Sequence, residues 1–310
     1  MTRGFVTIAT GNIHYYKIAA NLLKSYRLFT KDPMPFAIIA EEENEYTALF
    51  DTVVITTEAR RSFLDKFLLL KLCPYDENIF FDADSLAFGD LNNYWDFFAG
   101  ATDFSSLGEN FPLEVSGGAW YDIDGIGDYA QKITYKTRVH MGVCFIRKGE
   151  SALKLYDDCM ELYHHYDQLY FHTCSASVDE CVLGLAMPLN NMLAIPEDKD
   201  MMGCYPFLTT VKANAWKKQL SYTTQWKTSS DSGILVHWGT RHTHRPLYRF
   251  NADCINLMSS RGSQKPTFLE NVLYNCELKL LYYHLTLSPK WFLGEFIEFA
   301  YRMKERLLHR

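Results

Sequence analysis

What the chain lacks sets the first limits. No stretch approaches the ~18 apolar residues that a membrane span needs. A basic excess is missing: 31 Lys and Arg face 37 Asp and Glu, for a net charge of −6. That balance argues against a nucleic-acid binder, which carries a basic footprint. The eight cysteines, at 73, 144, 159, 174, 181, 204, 254 and 276, form no C-x-x-C pair and no zinc-framework spacing. They are expected to be buried free thiols in a reducing cytosol. No Asn-x-Ser/Thr glycosylation sequon occurs, which points the same way. The apolar run Phe5–Ala9 is too short for a signal-peptide core and suits a buried strand. There is no internal repeat and no low-complexity linker.

What is present is globular. The 310 residues are 48% hydrophobic and 22% charged, enough apolar material for a core and too little charge for a disordered chain. Aromatics reach 15%, with 20 Tyr, 21 Phe and 6 Trp, and supply both core mass and flat platforms for bases or sugars. The first hundred residues alternate. Phe5–Ala9 reads as a strand; Tyr15, Ile18, Ala19, Leu22, Leu23 and Tyr26 follow at helical spacing behind Asn12 as cap. Phe36–Ala40 is a strand, Glu41–Phe50 an acidic helix, Thr52–Ile55 a strand, Arg60–Leu72 a helix and Asn78–Phe81 a fourth strand. This alternation predicts an α/β fold, a mostly parallel sheet with helices on both faces. Residues 103–137, with Gly108, Gly117, Gly118, Gly125 and Gly127, read as a long functional loop or small insertion. Beyond it come a strand (Val139–Ile146), two helices (Ser151–Tyr166 and Val178–Met187), a late strand (Ile234–His237), and helix from Phe268 with a break at Ser288-Pro289. The simplest parse is one catalytic domain, 1–266, and a helical extension, 267–310.

The sharpest motif is Ile79-Phe80-Phe81-Asp82-Ala83-Asp84. Two aspartates at i and i+2 beyond a buried strand can aim at one spot, at the end of a parallel sheet where ligands bind. Two carboxylates so placed repel unless a cation joins them. Hard oxygen ligands suit Mg²⁺ or Mn²⁺, which complete their shells with phosphate oxygens and water. A polar strand end with two solvated acids would also explain the pair; the apolar run before it and Ser85–Leu91 after it weigh against that.

Here the sequence resembles the nucleotide-sugar-dependent glycosyltransferases of the GT-A fold, most of all the glycogenin and galactosyltransferase-like group known as family 8. The resemblance rests on the D-x-D block and on Asp90-Leu91-Asn92-Asn93-Tyr94-Trp95 behind it. Lys66 stands about sixteen residues before the motif, where the family often has lysine. Val6-Thr7-Ile8-Ala9-Thr10 resembles the first strand, whose end holds the nucleotide base, so Ile8, Thr10 and Tyr15 are assigned to the nucleotide together with Lys66, Asp82, Ala83 and Asp84. His140-Met141-Gly142-Val143 stands where the family has N-x-G-V, and Asp179-Glu180 where it often has D-Q. Val236-His237-Trp238-Gly239 resembles an H-F-x-G whose histidine is a metal ligand. Two departures, His140 for Asn and Glu180 for Gln, bear on the sugar and the acceptor. Arg245-Pro246 stands for the family's Lys-Pro at a longer spacing. Arg241 or Arg245 can serve the diphosphate, since arginine makes bidentate phosphate contacts.

The resemblance therefore implies a metal-dependent transferase taking a sugar from a nucleoside diphosphate sugar, UDP above all, to a glycan or other hydroxyl acceptor with retention. Metal ligands are expected at Asp82, Asp84 and His237, with imidazole beside carboxylates favouring Mn²⁺ over Mg²⁺. Asp179, Glu180 and His140 are the candidate catalytic groups. Ser177-x-x-Glu180 is also a capping box, which favours Asp179 over Glu180 as the sugar-contacting group. Gly125-x-Gly127-x-x-Ala130 mimics a dinucleotide fingerprint but follows no strand. Two rival readings are a phosphatase of the haloacid-dehalogenase type and a nucleotide-sugar binder without turnover. The tail Lys290–Arg310 mixes aromatic and basic residues; core packing is its expected use, with a peripheral membrane contact at the inner face as the alternative.

Overall fold

A computed structural model describes residues 1–171, 178–196, 201–224, 233–262 and 264–287. Its centre is a six-stranded sheet built from β1 (Arg3–Ala9), β2 (Phe36–Ala40), β3 (Thr52–Ile55), β4 (Glu77–Phe81), β6 (Phe104–Pro112) and β7 (Tyr135–Arg147). The strand order is β3-β2-β1-β4-β7-β6. The pairs β3/β2, β2/β1 and β1/β4 are parallel, and β4/β7 and β7/β6 antiparallel. The strands of the parallel half are continuous apolar runs because both faces are covered. Phe5, Ile38, Ile79, Phe81 and Val143 point to one face, where α1 (Ile13–Phe29) and α6 (Pro246–Arg261) pack. Val6, Ile39, Phe80 and Cys144 point to the other, beneath α4 (Glu150–His164) and α5 (Val178–Leu189). The predicted α/β layering, with helices on both faces, is what the chain adopts.

A smaller three-stranded sheet joins distant segments. β11 (Leu235–His237) lies between β5 (Ser85–Ala87), to which it is antiparallel, and β8 (Met202–Cys204), to which it is parallel. A hairpin of β9 (Leu208–Asn214) and β10 (Gln219–Thr224) stands beside it. Residues 278–287 are helical, and Tyr274 just before them packs into the core against Trp216 and Phe250.

Several local expectations are corrected. Glu41–Phe50 holds only a 3-10 turn, Thr47–Leu49, because Glu41 turns back to accept hydrogen bonds from Gly11 N–H and Arg61. Arg60–Leu72 divides into a 3-10 helix, Phe63–Leu68, and one α turn, Leu69–Leu72. The presumed loop 103–137 opens with the nine-residue strand β6, and β7 begins at Tyr135 rather than at Val139. Gly108 sits inside β6 because a Cβ there would stand 2.0 Å from the Arg138 carbonyl oxygen. Residues 288–310, including the predicted break at Ser288-Pro289 and the tail from Lys290, lie outside the described residues, as does Ser177. No helix among the described residues is long and apolar enough to cross a membrane.

Candidate active site

Strand order reverses at β1: β2 lies on one side and β4 on the other. In α/β sheets a crevice opens beyond the carboxyl ends of the strands at such a switch point. Thr10 follows β1 and Asp82 follows β4, so both stand at this mouth. The backbone then fixes the acid pair. Asp82 N–H donates to the Gly142 carbonyl at 3.0 Å, extending the β4/β7 ladder by one residue. Ser85 N–H donates to the Asp82 carbonyl at 3.0 Å and closes a tight turn around Ala83. The chain thereby passes from the large sheet to the small one within Asp82-Ala83-Asp84. Ser85 pairs with His237 across β5/β11, and Trp238 N–H donates to the Asp84 carbonyl at 3.1 Å. That register sets His237 against the acids.

Nε2 of His237 lies 3.0 Å from Oδ1 of Asp84 and 3.4 Å from Oδ2 of Asp82. Thr240 Oγ1 donates to the other Asp84 oxygen at 3.0 Å. Oδ1 of Asp84 is buried and accepts no aligned hydrogen bond, despite its closeness to Nε2. One ligand atom from each of Asp82, Asp84 and His237 falls within 4.8 Å of the others. The two His237 separations, 3.0 and 3.4 Å, are close to that of adjacent ligand atoms on an ion bonded at about 2.1 Å. Two carboxylates and an imidazole, with one buried oxygen lacking a donor, fit a divalent cation. Burial works against a charged His237, but Asp84 and Asp82 outweigh it and hold its pKa well above the usual histidine value. Without a cation, the site keeps a proton in the cation's place.

Lys66, on the 3-10 helix that precedes Leu69–Leu72, reaches in from the opposite side. Its Nζ lies 2.7 Å from Oδ2 of Asp82 and 3.4 Å from Oδ2 of Asp179. Burial alone would lower the lysine pKa; Asp82 and Asp179 raise it above its ordinary value. The same contact, with His237, keeps Asp82 below the usual carboxylate range in spite of burial. Asp179 opens α5 and is buried, which pushes its pKa up although Lys66 opposes this. Glu180 is likewise raised by burial, and its Oε1 accepts Met141 N–H at 3.1 Å, tying α5 to β7. The capping-box partner Ser177 lies outside the described residues.

The side chains of Lys66, Asp82, Asp84, Asp179, Glu180, His237 and Thr240 border one cavity of about 2260 Å³. Ile8, Thr10, Tyr15 and Ala83 line it as well. So do His140, Arg241 and Arg245. Nη1 of Arg245 donates to Tyr205 OH at 3.2 Å, and the guanidinium lies 5.1 Å over that ring. Burial, then Arg245 and Arg241, push the pKa of His242 down to about 4. A single drug-sized ligand occupies a pocket of roughly 300–1,000 Å³, so this cavity is larger than one such ligand needs.

Two contributors had no signal in the sequence. Asp65 is 4% exposed and accepts from Thr10 Oγ1 (2.6 Å), Arg60 N–H (2.7 Å) and Arg61 N–H (3.0 Å), pinning the 60–65 loop against the end of β1. Only its place beside Lys66 could have hinted at it. Cys204 ends β8, and its Sγ lies 3.8 Å from Nδ1 of His237. Burial would raise this thiol, but hydrogen bonds from His140 and His237 outweigh it and bring the pKa to about 6.

No protein-family model matches the chain, and no curated protein sequence is similar to it. Among solved structures the chain is similar to the galactosyltransferase LgtC in complex with donor and acceptor sugar analogs. The identity is 13%, over 85% of this chain and 97% of that one, with a TM-score of 0.48. It is also similar to the bifunctional glycosyltransferase WbbM in its apo form, at 10% identity over 77% of this chain and 46% of that one, TM-score 0.44. For the glycosyltransferase GlyE of Streptococcus pneumoniae TIGR4 the values are 11%, 64%, 46% and 0.42. The chemistry of the cavity is read below from this chain's own side chains.

Proposed function

We propose that this chain is a divalent-metal-dependent glycosyltransferase. It takes a sugar from a nucleoside diphosphate sugar of the UDP type and passes it to a hydroxyl of a glycan or other acceptor, with retention as the family resemblance implies. The observation that carries this reading is the convergence of Asp82, Asp84 and His237 at the switch point of the sheet, in a cavity that Arg241, Arg245 and Asp179 also line. Asp82, Asp84 and His237 would hold Mn²⁺ (or Mg²⁺), which supplies Lewis-acid neutralisation of the departing diphosphate. Ile8, Thr10 and Tyr15 receive the nucleoside. Arg241 and Arg245 face the phosphates, where a planar guanidinium binds in bidentate fashion. Lys66 holds Asp82 and Asp179 apart and in place. Asp179 supports the sugar as positive charge develops at its anomeric carbon, the task carboxylates perform in glycoside chemistry. Glu180 secures the start of α5 through Met141. His140 borders the space left for the acceptor.

The test is thermal stabilisation by UDP. A ligand that binds only the folded state raises the melting temperature by mass action. UDP should stabilise the chain with Mn²⁺ and not in EDTA; equal stabilisation in both ends the metal-bridge reading. Asp179→Asn should lower kcat by about 10²-fold with UDP affinity nearly kept, the pattern of an interaction made mainly in the transition state. Phosphate release from simple phosphomonoesters would instead favour a phosphatase. UDP binding without donor hydrolysis over a panel of sugars would favour a binder.

A further inference from the structure

His237 presents two nitrogens to two different ligand sets. Nε2 faces the carboxylates of Asp84 and Asp82. Nδ1 faces the sulfur of Cys204. Across this sulfur stands His140, whose ring lies 5.5 Å from that of His237 at an interplanar angle of 82°. One ligand atom from each of His140, Cys204 and His237 falls within 4.8 Å of the others, and all three side chains are half-buried against the same cavity. The glycine at 142 makes room for the group: a Cβ there would stand 2.8 Å from the His140 ring and 3.3 Å from the Met202 sulfur.

We infer that His140, Cys204 and His237 form a second metal site, of N₂S type, that takes a thiophilic divalent ion such as Zn²⁺ and excludes the ion of the carboxylate site. The spacing supports it. Zinc bonds of about 2.0 Å to nitrogen and 2.3 Å to sulfur put a tetrahedral nitrogen and sulfur about 3.5 Å apart. Nδ1 and Sγ are 3.8 Å apart. The donor set supports it too, since a thiolate with two imidazoles selects zinc over Mg²⁺ or Mn²⁺, and two carboxylates reverse that order. Three protein ligands leave the fourth position open to water or to a substrate oxygen on the cavity side. His140 gives up little on turning to a cation, because Gly142 N–H donates to its Nδ1 at 3.2 Å, the long end of hydrogen bonding.

Exclusion follows from the tautomer. A neutral imidazole has one lone pair and one N–H. Zinc on Nδ1 leaves the proton on Nε2, pointed at Asp84 and Asp82, and the hard cation loses its nitrogen ligand. A hard cation on Nε2 leaves the proton on Nδ1, pointed at the sulfur. His237 therefore serves one site at a time, and zinc acts as an inhibitor that needs no contact with the aspartates. This inference shares His237 with the proposed function and is tested without measuring turnover.

The probe is Co²⁺, which occupies zinc sites and gives an intense thiolate-to-cobalt charge-transfer band. The reduced, metal-free full chain should develop this band to saturation at one Co²⁺ per chain, and Zn²⁺ should bleach it. Cys204→Ser should abolish it. Absence of the band in the wild-type chain, or its persistence in Cys204→Ser, overturns the site. Should that variant not fold, His140→Gln carries the same test and must lose or shift the band. The double substitution Asp82→Asn with Asp84→Asn should keep the band while losing Mn²⁺ binding, read by the electron paramagnetic resonance of free Mn²⁺. Loss of the band there would mean that the cysteine does not belong to a separate ligand set, and overturns the inference. Wild-type chain that gives the band yet never binds Mn²⁺ would overturn the proposed function and leave this site standing. Finally, one equivalent of Co²⁺ should release bound Mn²⁺ from the wild type; simultaneous retention of both ions overturns the exclusion.

Discussion

Asp65 and Asp84 border the same cavity and are equally buried, at 4% and 5% exposure. Their surroundings are opposite. Asp65 accepts from a threonine hydroxyl and two backbone N–H groups, so neutral donors meet its charge without help. Asp84 takes one hydroxyl, from Thr240, and turns its other oxygen toward Nε2 of His237 with no aligned donor. Burying a carboxylate is costly unless donors or a cation compensate. The first aspartate is satisfied by the fold and stabilises it. The second is met by a cation, the His237 imidazolium in the metal-free fold, and a partner that a metal ion can replace makes it a candidate site. The Thr10 side of the cavity is thus held by neutral donors, and the Asp84 side by a cationic partner.

The strongest way to break this contrast is Asp84→Asn. The amide oxygen can still accept from Thr240, but the charge that holds the His237 imidazolium is lost, so the melting temperature of the metal-free protein should fall modestly without unfolding. Metal-dependent transfer should fall by about 10³-fold, the upper range for losing one preorganised electrostatic partner. A mainly structural loss, seen as unfolding without metal, would place Asp84 in the same class as Asp65. The converse substitution, Asp65→Asn, turns an amide nitrogen toward donors already in place. It should cost about 2 kcal/mol in stability, the size of a hydrogen bond to a charged group, read by denaturant unfolding. Its Mn²⁺ affinity, read by calorimetry, should stay near that of the parent; a matching loss there would dissolve the distinction.

The smallest effect is a slope in pH. The folded-state pKa of His237 is raised, so its imidazolium stabilises the metal-free fold fully below the unfolded value of about 6.5, and this contribution is lost as pH rises through the raised value. A cation must displace that proton. Apparent Mn²⁺ affinity should therefore rise with pH through neutrality, by at most about tenfold, or 1.4 kcal/mol, per unit. The increase in melting temperature produced by Mn²⁺ should grow in step. A flat affinity profile from acid to neutral pH would remove His237 from the metal shell.

The parallel half of the sheet was legible because its strands are short apolar runs buried on both faces. Asp82 and Asp84 were legible for the same reason, since an acidic pair breaks such a run sharply. Elsewhere local pattern misled. Glu41-Glu42-Glu43 reads as a helix start, yet Glu41 is used across the chain by Gly11 and Arg61. Strand β6 is interrupted by glycine and closed by proline, and only its pairing with β7 makes it a strand. Lys66 could be placed by spacing, but its double contact with Asp82 and Asp179 belongs to tertiary structure. Cys204 looked like one more inert thiol. Five of the other described cysteines are indeed buried, and Cys276 is exposed. What sets Cys204 apart is a strand register joining it to His237, and no short motif encodes a register between segments so far apart.

The three-stranded ribbon β5-β11-β8 also bears on the making of the protein. Thr240, which donates to one oxygen of Asp84, lies 156 residues further along the chain. Ribosomes add about 5–20 residues per second, so a nascent chain displays its acid pair for many seconds before the histidine exists. Throughout that interval the aspartates can be no more than weak, open ligands. On the proposed function, metal capture waits until β11 slots between its two neighbours. Because a slip of one residue in that strand would turn His237 to the opposite face, loading with metal would then report on correct pairing of β11 with β5 and β8.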